Sequence, residues 1–76
     1  MRLPNKLFSY SESIISKFTI ILDVLKQEKH LTIYELYIHV SNKFDGITEF
    51  IDTVESLYVL GKIEYNYQLG RIYYVI

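Results

Sequence analysis

The apolar residues of this chain change their period once, at Gly61. Before Gly61 they recur every three or four positions, as on one side of a helix; after it they alternate with polar residues, as in a strand. With only 76 residues, the chain has room for one core, which the helical and strand segments must share. A two-stranded hairpin is at best marginally stable in water, so the terminal strands are expected to pack on the helices.

The helical part divides into three. Ile14, Ile15, Phe18, Ile21, Leu22 and Leu25 fall on one face, which predicts a first helix from about Tyr10 to Gln27. Ser9 and Glu12 have capping-box spacing at its start. Pro4 disfavours helix at Leu3, so residues 1–8 read as an arm. His30-Leu31 is a short connector, with room for a single extended bridge. Thr32 and Glu35 form a second capping box. Ile33, Leu36, Tyr37 and Val40 make the stripe of a second helix ending near Asn42 or Lys43, with Phe44 packing back onto it. Asp45-Gly46 is a turn signal. Ile47, Phe50, Ile51, Val54, Leu57 and Tyr58 then define a third helix, and Gly61 is placed to end it as a left-handed residue.

Beyond Gly61, Ile63, Tyr65 and Tyr67 alternate with Glu64, Asn66 and Gln68. Leu69-Gly70 supplies a turn, and Arg71 to Ile76 is a second strand. The order predicts an α+β fold: a winged helix-turn-helix, three helices followed by a C-terminal β-hairpin wing. The arm would occupy 1–8 and the winged-helix domain 9–76. The alternative is a three-helix bundle with an appendage.

Composition narrows the function. There is no cysteine, which removes disulfides and sulfur-rich zinc sites. No apolar run approaches the ~20 residues that span a bilayer, and the N-terminus lacks the apolar stretch of a signal peptide. A cytoplasmic chain is expected, with no membrane partner. His30 and His39 do not have metal-ligand spacing; His39, Glu35 and Lys43 read as a surface ion cluster. No glycine-rich phosphate loop is present. No catalytic, cofactor-binding or metal-binding residue is expected, and a chain this short has trouble enclosing a dry pocket of ~300 Å³.

Helix-turn-helix proteins read DNA with the helix that follows the turn. The residues expected to face outward on the third helix are Thr48, Glu49, Asp52, Thr53, Glu55 and Ser56. Glu49, Asp52 and Glu55 give this face an acidic character with no base. DNA affinity comes chiefly from Lys and Arg neutralising phosphate. The net charge of −1 points the same way.

The chain also carries more apolar residues than the three core stripes use. They are Ile20 and Val24 on the first helix, Tyr34 and Ile38 on the second, and Val59 and Leu60 at the end of the third. Tyr73 and Val75 add a second apolar face to the hairpin. Eight of the aromatic residues are tyrosine, a side chain suited to half-wet interfaces. Contiguous exposed apolar surface marks interaction sites. The candidate partner-binding residues are Leu3, Pro4, Asn5 and Phe8 of the arm, Tyr34 and Ile38, and Tyr73 and Val75. The last strand is a candidate sheet edge that could accept a partner strand.

Two segments carry a family resemblance. Leu3-Pro4-Asn5-Lys6 precedes Ser11-Glu12-Ser13 and an Ile-rich helix, and Leu57-Tyr58-Val59-Leu60-Gly61-Lys62-Ile63-Glu64 precedes an aromatic hairpin. With these the chain resembles the small middle components of bacterial ABC-three-component systems over nearly its whole length. The second segment recurs in many winged helices; the first is more discriminating. The resemblance implies a neighbouring SMC- or Rad50-like ABC ATPase, a third, effector-type component, and a role in conflict with phage or plasmids. It transfers no catalytic residues. The expected function is thus a non-enzymatic adaptor linking the ATPase to other components. The alternative is a small winged-helix DNA-binding regulator. A homodimer is compatible with either.

Overall fold

Helical periodicity holds as far as Val59, and the strand period takes over at Ile63. The computed structural model describes residues 3–75, with the side chains of residues 9–75. In chain order it contains α1 (Leu3–Ser16), α2 (Phe18–Glu28), β1 (His30–Leu31) and α3 (Ile33–Val40). A 3-10 turn (Ser41–Lys43), α4 (Ile47–Val59), β2 (Ile63–Asn66) and β3 (Arg71–Tyr74) follow. This is an α+β fold of three helices, the first broken into α1 and α2, ending in an antiparallel hairpin as in a winged helix.

The single first helix expected over 10–27 is therefore corrected at both its start and its middle. Helix begins at Leu3. Pro4 lies in the first turn, where its missing N–H has no helical partner to lose. Residues 3–8 are helical, and Ser9 lies inside α1 instead of capping it. The break falls at Lys17. Its N–H bonds back to the Ile14 carbonyl at 3.1 Å, a tight three-residue turn, and the Ile21 N–H to Lys17 carbonyl contact is stretched to 3.5 Å. The Ser16 hydroxyl donates to the Ser13 carbonyl at 2.8 Å, a back-bond that bends helices.

The other caps follow the sequence. The Thr32 hydroxyl accepts from the Glu35 N–H at 3.1 Å, and the Glu35 carboxylate accepts from the Thr32 N–H at 3.0 Å. At the end of α4, Gly61 takes φ of 77°. The Lys62 N–H reaches the Leu57 carbonyl and the Gly61 N–H the Tyr58 carbonyl, at 2.9 and 3.0 Å, closing a Schellman motif. At the end of α2, Lys29 holds φ 77° and ψ −58°. That conformation strains any residue with a Cβ. Lys29→Gly is expected to raise stability by about 1 kcal/mol, read as a higher urea midpoint at unchanged slope.

The sheet has three strands in the order β1-β3-β2. Leu31 pairs with Ile72, and Ile72 with Tyr65. The bridge anticipated at His30-Leu31 thus makes β3 the central strand. The expectation that the last strand forms an open edge is overturned; β1 and β2 are the edges. One core joins α2, α3, α4 and the sheet: Ile21 and Leu25 from α2, Leu36 and Val40 from α3, Phe44, Phe50 and Leu57 around α4, and Leu31, Ile63 and Ile72 from the sheet. Phe50 is its aromatic centre, with Tyr37 and Phe44 rings at 4.9 and 5.7 Å. Ile20 and Val24, expected as surplus, are partly buried against this core.

Candidate protein-binding face

The helix after the turn, α4, is rotated from its sequence-predicted setting. Glu49, placed outward by the sequence, is only 5% exposed, and Thr53 is fully buried. Ile47, Ile51 and Tyr58, assigned to the core stripe, are exposed. Of the expected acidic face, Glu55 alone is exposed, and Asp52 is half-buried.

Burying Glu49 is possible because three groups donate to its carboxylate. Lys17 Nζ stands 2.8 Å from Oε1, the Asp45 N–H 2.8 Å from the same oxygen, and the Ser13 hydroxyl 2.5 Å from Oε2. The break at Lys17 falls where this side chain reaches Glu49. Its ammonium also sits 5.1 Å from the centre of the Phe44 ring. The Asp45 N–H first, then Lys17 and Ser13, hold the Glu49 carboxyl down at about 2. Thr53 is satisfied by donating its hydroxyl to the Glu49 carbonyl at 2.8 Å. Further out, the Tyr10 hydroxyl donates to Asp52. That bond is the main cause of the Tyr10 phenol's rise to about 12.

The rotation leaves α4 with an outer side of Ile47, Thr48, Ile51, Glu55, Tyr58, Val59 and Leu60. None is basic. Val59 is 81% exposed. Beside it the hairpin presents Tyr65, Tyr67 and Leu69, with the Tyr65 and Tyr67 rings edge to face at 4.8 Å. Tyr58 joins this group, its phenol pKa raised chiefly by the neighbouring Tyr67 hydroxyl. On the other flank, Tyr10, Ile14, Ile15 and Phe18 of the broken first helix and Tyr58, Val59 and Leu60 line an open trough of about 910 Å³. The wing's base, Arg71, is half-buried and stands 3.5 Å from Glu35 and 3.3 Å from His30. Glu35 is thereby drawn to Thr32 and Arg71, not into the cluster expected with His39 and Lys43.

A face with this chemistry does not resemble one that grips phosphate. A family model for the ABC-three component (ABC-3C) system Middle Component 7 matches residues 3–72. The chain belongs to that family. The match runs from the first residue of α1 into β3, so it covers nearly the whole fold. No curated protein and no solved structure matches the chain significantly.

The candidate residues of this middle component do not converge on one place. Tyr34 and Ile38 are exposed one turn apart on α3. Tyr73 is half-buried and donates its hydroxyl to Glu64 at 3.1 Å. Val75 is half-buried, its N–H bonded to the Lys62 carbonyl at 3.0 Å. The side chains of Leu3, Pro4, Asn5 and Phe8 lie outside the described residues. Sequence reasoning missed Tyr10, Ile15, Tyr58, Tyr67 and Leu69. The available signal was the pairing of Lys17, isolated in an apolar run, with an acid just after the Asp45-Gly46 turn. Among the described residues, no group of three or more His, Asp or Glu could hold a metal ion, and no helix is long and apolar enough to cross a membrane.

Proposed function

We propose that this middle component is a non-enzymatic adaptor. It links an SMC-like ABC ATPase to the remaining component of a bacterial system directed against phage or plasmids. The observation that carries the reading is the outer side of α4 together with Tyr65, Tyr67 and Leu69 of the wing: exposed, largely apolar, rich in tyrosine and with no basic residue at these positions. Winged helices that read DNA insert this helix into the major groove, where Lys, Arg, Asn and Gln contact phosphates and base edges. Here those positions hold Ile51, Glu55, Tyr58 and Val59. Such a surface suits a protein partner, since tyrosine-centred apolar patches dominate interface energetics. Membership in a family of three-component systems supports the same reading.

The test is co-expression of the tagged chain with the proteins encoded beside it, followed by purification and a duplex titration of the chain alone. The ATPase is expected to co-purify stoichiometrically, while the isolated chain shows no steeply salt-dependent DNA affinity. Strong duplex binding that falls steeply with salt, and no retained partner, would favour the regulator instead.

A further inference from the structure

Resting on the adaptor reading, we infer that the trough between α1 and α4 receives an amphipathic helix of a partner protein, with lysine or arginine flanking its apolar stripe. Three observations converge on this occupant. The floor and walls are apolar, from Ile14, Ile15 and Phe18 on one side to Tyr58, Val59 and Leu60 on the other. The trough is open and lies between two helices, so it suits an elongated ligand. A helix laid into a groove presents anchors at i, i+3, i+4 and i+7 to such a surface. Among the described residues, its charged lining side chains, Asp52 and Glu55, are both acidic. A basic flank on the incoming helix meets them; an acidic one is repelled.

The same charges argue against a symmetric pair of copies. A two-fold interface sets one patch against itself, and here that brings Asp52 and Glu55 of one chain against the same acids of the other. Charge complementarity therefore selects a different, basic segment.

The probe is an amidated helical peptide of leucine and lysine with leucines at i, i+3, i+4 and i+7, titrated into the isotopically labelled full chain. Amide shifts are expected to saturate at Ile15, Glu55 and Val59. Glu55→Lys, at an exposed position outside the buried network, is expected to weaken binding roughly tenfold. A leucine–glutamate peptide with the same stripe is expected not to bind. The inference is overturned if shifts spread over the surface without saturating, if the glutamate peptide binds equally, or if Glu55→Lys leaves the affinity unchanged. Self-association of the free chain through the trough, seen by light scattering, also overturns it. Loss of this inference and loss of the adaptor reading are separable. If the peptide fails while co-expressed neighbours are still retained, only the trough assignment falls; if no neighbour is retained, the adaptor reading falls.

Discussion

Replacing Glu49 with alanine is expected to destabilise the domain by about 3 kcal/mol, although the residue lies on a helix the sequence reads as solvated on that side. The carboxylate is buried and accepts from Lys17, Ser13 and the Asp45 backbone. Its removal leaves the largely covered Lys17 ammonium uncompensated and the Asp45 N–H without its acceptor. A domain of this size typically holds about 4–11 kcal/mol in total, so the variant should show a much lower urea midpoint. Glu55→Ala, on the exposed side, is expected to stay within about 0.5 kcal/mol of the parent. The double variant Lys17→Met with Glu49→Leu is expected to lose less than either single change, because it removes both charges together. The pH dependence has a fixed sign. Glu49 is held at about 2 in the folded chain against an ordinary 4.5. Its contribution is fully present above pH 4.5 and is lost as pH falls toward 2. Chemical denaturation at successive pH values should show this decline in the parent and a much flattened one in Glu49→Gln.

The second large effect falls on association rather than folding. Val59→Glu combined with Tyr67→Ser is expected to weaken partner retention by ~100-fold or more, since central apolar and tyrosine anchors carry most of the energy of an interface. Both side chains are exposed, and neither belongs to the core cluster. The thermal midpoint of the isolated chain should therefore barely move. Titration of the purified partner into parent and variant separates the two quantities. Unchanged affinity in the double variant would remove the α4–wing surface from the account.

The elements most legible in the sequence were those fixed by local chemistry. The Thr32–Glu35 box, the stop at Gly61 and the strand that starts at Ile63 each depend on residues close together in the chain, and each is present in the structure. The break at Lys17 was hidden, because the apolar spacing of Phe18, Ile21 and Leu25 continues the phase of Ile14. The rotation of α4 was hidden for a related reason. A hydrophobic stripe assumes that charged side chains face water, but Glu49 is buried with donors drawn from α1, the break after it and the turn, 36, 32 and four positions away in sequence. Once Glu49 and Thr53 turn inward, Ile47, Ile51 and Tyr58 must turn out. Polar satisfaction across a tertiary contact decided which side of the helix was left exposed, and no local pattern records it. The absence of basic residues from that side was visible in the sequence whichever way the helix turned.

Hydrogen exchange on the middle component, free and in complex with its co-purified partners, locates the surface that a partner covers. Slowed exchange is expected over residues 51–60 and 65–69, where α4 and the wing expose apolar side chains. Slowing confined to other segments, or slowing of 51–60 that appears only when duplex DNA is added, would contradict it.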